Sequence, residues 1–531
     1  MFWTKSSTVA PRPEYSEAAP LPAISNARIK QMYPDYLHLV QAQVFFRHGE
    51  RTPMKSRLTK DEKWLHCERA NFLHSEFMKA IGRFVPLSEE MPVPHPDQIG
   101  RGDTQKYTRR TATLKSGIEY EPAKWSVRLG SKDGGTGAAA EWSPASCGMG
   151  QLTDVGLDTL HRAGSYLRTL YAERLKLVPC EPGVSARDWL YVRSTDYSRV
   201  IQSTHALLAG LFPARDGSWP TFNAEFLRTF PIHTRLHNRE TMHGNFGCYT
   251  FIKQFMDVSS GKAREQFKWI DDVYQQTVQL DSIGDSARRL MDAPRFGSNF
   301  HVIYDELISL AAHGRPLPPD VERGHLVNLG RAGHHQWMDP VHSLSGQRLG
   351  FGRLLNDIMQ TMVQATTTDS NARIGAQREG DLLLVPGGVR APTQTEIPGV
   401  PRLALYGCHD VTIAPLAIMM GSVDPNWLPF ASMLTFELFK DDATPAPAKR
   451  EQLPQPPTLM QSVGRDHYVR VLLNDQVLEL PTCQAHGKHH ERMGTSLCTM
   501  EAFLEHLAPI IATEEDYAKD CGVMPVAFDL E

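Results

Sequence analysis

Apolar and polar positions along this chain follow two periods in turn. Leu37 to Phe46 (LHLVQAQVFF) is a mostly apolar run of β-favouring residues, the pattern of a strand buried on both faces. Trp189-Leu190-Tyr191-Val192, after a Gly/Pro/Ser turn, predicts a second such strand, and Leu403-Ala404-Leu405-Tyr406, after a Pro-rich loop, predicts a third. Helical spacing lies between and after them. Thr153 can cap a helix whose Leu157, Leu160, Gly164, Leu167, Tyr171 and Leu175 form one apolar stripe. Thr195 or Asp196 can cap another, carrying Val200, Thr204, Leu207 and Leu211 and stopped by Pro213. Strands alternating with helices predict an α/β fold with a mostly parallel central sheet flanked by helices.

The same patterning divides the chain. Residues 1–36 are rich in Pro, Ser and Ala without a sustained period, an irregular N-terminal extension. Residues 37–225 form a first part of the α/β core. Residues 226–340 are mostly polar, mix helical patterns with loops, and are expected as an inserted helical cap outside the sheet. Residues 341–531 complete the core, interrupted at 440–466 by a Pro-rich stretch expected as a disordered surface loop. Beyond it, Tyr468 to Leu473, the turn Asn474-Asp475 and Val477 to Leu480 predict a hairpin.

Composition narrows the function classes. The 531 residues carry 56 Lys+Arg against 60 Asp+Glu, a net charge of -4, which argues against holding nucleic acid by bulk charge. No apolar run reaches the roughly 20 residues of a membrane span. Eight cysteines without a C-x-x-C pair offer neither a zinc ribbon nor a thioredoxin-like motif, and their even number permits disulfides without requiring them. The first 25 residues lack the apolar stretch of a secretory signal and make a weak mitochondrial presequence, so the cytosol is the default location, with mitochondria the alternative.

The first predicted strand runs into Arg47-His48-Gly49-Glu50-Arg51-Thr52-Pro53. A nucleophile that can be neutral stands here between two permanent cations, and Gly49 removes the side chain beside it. Arginine presents a planar fork of donors matched to phosphate oxygens, and an imidazole held among such forks can attack phosphorus and carry it covalently. The second strand ends at Arg193-Ser194-Thr195 and the third at His409-Asp410. In a parallel sheet all three groups fall at the carboxyl edge, where ligands bind and where following helix N-termini favour an anion. Tyr197 and Arg199 can face that edge or pair on the helix surface, and they are left out of the site.

These residues resemble the signature of the histidine acid phosphatases, the second branch of the histidine phosphatase superfamily: R-H-G-x-R-x-P, a downstream R-S-T and a late H-D, in family order. Gly150 to Gly156 is similar to the family's G-x-L-T-x-x-G helix start. Within the family, Arg193 to Pro213, Trp427 to Leu438 and the tail Cys498 to Cys521 resemble the lysophosphatidic acid phosphatases, although Glu50 replaces a small residue there. The resemblance implies a phosphoglycerate-mutase-like α/β fold, His48 as phosphorus nucleophile, Asp410 as proton donor to the leaving alcohol, and Arg47, Arg51, Arg193 and His409 as phosphoryl ligands. It implies no cofactor and no metal, and a small-molecule phosphate monoester as substrate, a lysophospholipid such as lysophosphatidic acid in the first instance. Trp427, Phe430 and Met433 could line an acyl groove, though such residues are more often core. A soluble ester such as an inositol phosphate is the second substrate class, and would want cap cations such as Lys253, Lys262, Arg264 and Lys268. A non-catalytic assembly subunit that kept the fold is the reading from another class. The adjacent pairs His334-His335 and His489-His490 lack metal-ligand spacing and are expected to be solvent-exposed.

Overall fold

The strand Leu37–Arg47 (β1) is buried along nearly its whole length and sits in the middle of the molecule. The computed structural model of the chain describes residues 21–55, 63–72, 146–183, 186–214, 230–235, 239–244, 248–259, 267–292, 299–366, 381–385, 388–390, 400–442 and 466–522, with residues 19, 58 and 265. Two further strands, Leu190–Ser194 (β2) and Ile232–Arg235 (β3), and then Asp381–Val385 (β4), Gly388–Arg390 (β5) and Leu403–Cys408 (β6), extend the sheet on one side. Met433–Asp441 (β7), His467–Leu473 (β8), Gln476–Leu478 (β9), His489–His490 (β10) and Gly494–Thr499 (β11) extend it on the other. The order is β10-β11-β8-β7-β1-β6-β2-β3-β4-β5, with β9 on β8.

At the centre, β1, β6, β2 and β3 run parallel, with Arg47 beside Cys408 and Arg193 beside Tyr406. Antiparallel strands flank this centre on both sides. The predicted hairpin forms, with Asn474 and Asp475 both at positive φ (48° and 64°), the geometry a two-residue turn requires.

Helices cover both faces. Asp154–Leu167 (α2, after the short α1, Asn26–Met32) is capped by Thr153 as expected and continues as a π-helical turn through Arg174. Ser198–Leu211 (α3) is capped by Tyr197, one residue after Asp196 and two after Thr195, whose hydroxyl is engaged elsewhere. Gly164 and Gly210 let the two helices pack backbone to backbone: a Cβ on either would meet a carbonyl oxygen at about 2 Å. Tyr249–Ser259 (α4), Lys268–Val278 (α5), Gly284–Met291 (α6), Phe300–Ala312 (α7) and Arg323–Met338 (α8) form the helical insertion, whose own core joins Ile303, Leu307, Leu326 and Leu329 to Phe430. Leu344–Thr366 (α9) and Asp410–Met419 (α10) return to the main core.

Three details differ from the sequence expectation. The segment 226–340 is not wholly outside the sheet, since β3 is a sheet strand; its four residues are all buried and too few to show a period that could be read. The extension 1–36 contains α1, capped by Ser25 and tied down where Arg470 donates to the Met32 carbonyl at 2.6 Å. The stretch 440–466 lies mostly outside the described residues, but β7 runs through Asp441. Among the described residues six cysteines pair as Cys67–Cys147, Cys248–Cys521 and Cys483–Cys498. No helix among them is long and apolar enough to cross a membrane.

Candidate active site

The last residue of β1 is Arg47, and the chain then turns across the edge of the sheet. The His48 amide donates to the Cys408 carbonyl at 3.1 Å and the His48 carbonyl accepts from Ala431 at 3.2 Å, so the turn is held from both neighbouring segments. The following loop lies against the start of α2, where Gly49 and Gly156 meet. A Cβ on Gly49 would sit 2.4 Å from the Gly156 carbonyl oxygen, and one on Gly156 2.2 Å from that of Glu50. Glycine at both positions is therefore a matter of space.

His48 Nδ1 lies 2.9 Å from the Gly49 carbonyl oxygen. A carbonyl only accepts, so Nδ1 carries the proton and Nε2 keeps its lone pair. Burial, followed by the charges of Arg199, Arg47 and Arg51, holds the ring well below its usual pKa, neutral and nucleophilic. His409, at the head of α10, packs 5.5 Å from His48 ring to ring. Its Nε2 is 3.0 Å from the Thr195 hydroxyl, which is why Thr195 does not cap α3. Burial, then His243 and Arg199, lowers its pKa as well.

Asp410 opens α10. One carboxylate oxygen lies 2.6 Å from Arg47 and accepts from the Trp427 indole at 2.8 Å, while the other accepts from the Val411 amide. Burial pushes its pKa up, but Arg47, Trp427 and Arg51 together outweigh burial and hold it below the usual carboxylate range. Arg47 also donates to the Leu428 carbonyl at 2.5 Å and lies 4.3 Å over the Phe430 ring. Arg51 is anchored from the helical insertion, 2.6 Å from Asp305, and donates to its neighbour Thr52 at 3.0 Å.

All six residues expected at the site lie at the carboxyl edge of the parallel strands, but they are not equivalent. Arg193 is engaged by Glu240 and Thr241, with Asp357 3.6 Å away. The cations that His48 feels are Arg199, Arg47 and Arg51. Sequence reasoning left Arg199 out, because an arginine on the first turn of a helix usually pairs at the surface. It also missed Asp305, on α7, and Glu240, in the irregular stretch between β3 and α4, where nothing in the sequence marks them. Trp427, weighed as groove or core, is instead half-buried and bonded to Asp410, with Tyr304 5.7 Å from its ring; Phe430 and Met433 are core.

The paired histidines are not exposed. His334 is buried in α8, and burial lowers its pKa to about 4; His490 is buried beside Asp441 at 3.2 Å. Both were read as polar loop, but each lies in a regular element with one inward face. Of the cap cations, Lys268 is exposed and pairs with Asp272, and Lys253 is exposed; Lys262 and Arg264 lie outside the described residues. Among the described residues no cluster of three His, Cys, Asp or Glu side chains could hold a metal ion.

A neutral, oriented imidazole ringed by guanidinium groups at the end of a parallel sheet is the equipment of a phosphomonoester hydrolase. The family model for the histidine phosphatase superfamily, branch 2, matches residues 38–286. A probable acid phosphatase of Schizosaccharomyces pombe is 25% identical over 426 residues, covering 79% of this chain and 76% of the relative. Human lysophosphatidic acid phosphatase type 6 is 23% identical over 411 residues, covering 76% and 74%. The fold is shared with a phytase of Hafnia alvei, at a TM-score of 0.51 and 14% identity over 90% of this chain and 98% of that one.

Proposed function

We propose that the protein is an acid phosphatase that hydrolyses phosphomonoesters through a phosphohistidine on His48, with lysophosphatidic acid as substrate. The observation that carries the chemistry is the His48 tautomer: with its Nδ1 proton given to Gly49, Nε2 is the free nucleophilic nitrogen, and burial among arginines keeps it unprotonated.

Nε2 attacks phosphorus as the ester oxygen leaves on the opposite side, and Asp410 gives that oxygen its proton. A water then attacks the phosphohistidine, returning its proton to Asp410 and releasing phosphate. Phosphoryl transfer needs positioning and charge neutralisation above all, and the Arg47, Arg51, Arg193 and His409 set is suited to that work. Asp410 is ionised in the free site, so the proton must enter with the substrate. A phosphomonoester retains one phosphate proton below pH ~6. Engagement of Arg47 by the phosphoryl group also weakens that arginine's hold on Asp410, which raises its proton affinity.

Lysophosphatidic acid is favoured over an inositol phosphate by what surrounds Asp410. The side facing the leaving group offers Trp427 and Tyr304, and the described cap lysines are solvent-exposed. The human relative named for that substrate aligns over three quarters of the chain. The three disulfides favour an oxidising compartment over the cytosol expected from the sequence. Purified protein should release phosphate from lysophosphatidic acids at a rate that rises with acyl length. A rate flat in chain length, with inositol phosphates turned over faster, would replace the lipid reading.

A further inference from the structure

Three segments meet at the Thr153 hydroxyl: the loop after His48, the head of α2, and His313 at the end of α7. His313 belongs to the helical insertion, apart from the phosphoryl ligands. Its amide bonds to the Leu310 carbonyl at 3.1 Å, which leaves the Ser309 carbonyl to its ring, 2.7 Å from Nδ1. A carbonyl only accepts, so Nδ1 carries the proton of the neutral ring. Nε2 then holds a lone pair, and it lies 2.7 Å from the Thr153 hydroxyl.

That hydroxyl has one proton and two acceptors. Besides Nε2 it faces the Glu50 carbonyl at 3.1 Å, which also receives the Thr153 amide at 3.1 Å. While the imidazole is neutral, the shorter contact takes the proton and Glu50 keeps only the amide. Once the imidazole is protonated, Nε2 donates to the hydroxyl oxygen and the hydroxyl proton turns to Glu50. Glu50 stands between Gly49 and Arg51, with Gly156 against its backbone. A proton on His313 therefore adds one hydrogen bond to the loop that carries the nucleophile.

The surroundings set when that proton arrives. Burial, then His66 and Arg315, lowers the His313 pKa against the pull of the Ser309 carbonyl, so the ring is neutral near pH 7 and charges in the acid range. His66 lies 6.1 Å from the ring, and Arg315 lies over Trp64, which meets His313 edge-on at 5.1 Å. The exposed Lys63 gives its carbonyl to Arg315. On the α2 side, Asp154 is turned to the Ala70 amide and Arg69, and the Glu50 carboxyl to Thr159. Asp305, two turns back on α7, pairs with Arg51.

We propose that His313 is a positioning residue for the reaction, a proton-operated latch that hands the Thr153 hydroxyl to the Glu50 carbonyl and so tightens the nucleophile's loop. This rests on His48 as the nucleophile and on no particular substrate.

The test is the ratio of kcat for an aryl phosphate between His313→Phe and wild type, from about pH 4 to 7. Glu50 titrates at about 7 in both proteins, so the ratio isolates His313. Phenylalanine fills the ring's place beside Trp64 but cannot claim the hydroxyl, and the Glu50 bond then stays at every pH. The ratio should be near one in acid and rise to about 2–10 near pH 7, the worth of one hydrogen bond. Measured in a Thr153→Val background it should be flat, and in a Thr153→Ser background it should keep its rise. A ratio flat with pH, or below one near pH 7, would make His313 a structural support and overturn the proposal. If H313F does not fold, the kcat ratio of T153S to T153V decides: it should exceed one in acid and fall toward one as pH rises, and independence of pH overturns the latch. A wild-type protein that releases no phosphate overturns the nucleophile reading and the latch together, whereas a flat ratio in an active protein overturns the latch alone.

Discussion

Trp427 and Arg47 converge on a single carboxylate oxygen of Asp410, the indole at 2.8 Å and the guanidinium at 2.6 Å. Two donors on one atom fix its direction and keep it ionised until substrate arrives. Trp427→Phe retains the ring and removes the donor, so the Asp410 pKa rises. The alkaline limb of kcat/KM for an alkyl phosphate should move upward, with a loss in kcat of about tenfold or less from poorer aim. A pH profile of the variant checks this; an unmoved limb would mean that the indole only fills space.

His48→Ala should remove phosphate release by at least about 10^4-fold, with chelator present throughout. Rapid quench of wild type with a labelled aryl phosphate should trap an acid-labile, base-stable phosphoenzyme that the variant does not form.

Asp410→Asn separates chemistry from architecture. Esters with poor leaving groups need a proton in the transition state and should slow by about 10^2–10^4-fold, while a nitrophenyl ester should lose far less. Equal losses for the two substrates would leave Asp410 a structural role only.

Glu50 gives a stability prediction. Burial raises its pKa to about 7, against the opposing Thr159 hydroxyl bond. An acid whose folded pKa lies above its unfolded value costs stability as pH rises from about 4.5 to 7, because the unfolded chain ionises first. Glu50→Gln should therefore raise Tm at pH 8, by up to about 3 kcal/mol in stability, and do nothing at pH 4. Thermal melts at the two pH values read the difference.

Cys248 and Cys521 are 273 residues apart in sequence, so their bond closes a long loop and joins α4 to the C-terminal helix Glu514–Cys521. Cys248→Ser should cost roughly 2–5 kcal/mol, seen as a lower denaturant midpoint. Reductant should lower the wild-type midpoint too, and add less to the variant.

The central strands and the signature residues were legible in the sequence because each couples a local pattern to a fixed consequence. Leu37–Arg47 announces itself by continuous apolarity, and Arg47-His48-Gly49-Glu50-Arg51 by chemistry that few other environments would hold together. The partners of those residues were not legible. Asp305 reaches Arg51 from 254 positions away, and Glu240 reaches Arg193 across 47, by packing that no short period records. Arg199 was visible but ambiguous, since a helical arginine is ordinarily solvated and only the fold decides which way it faces. The short strands beyond β2 escaped for a related reason: β3, β4 and β5 are three to five residues long, and strands of that size carry almost no alternation.

The abutting glycines at 49 and 156 make the nucleophile's loop and the head of its neighbouring helix a keyed joint with no clearance. Motion of one must carry the other, so warming should not loosen the imidazole while that helical turn stays ordered. Catalytic competence and amide protection around residues 153–157 should then fade at one temperature, and the working ceiling of the enzyme would be set by a helix end rather than by its chemistry.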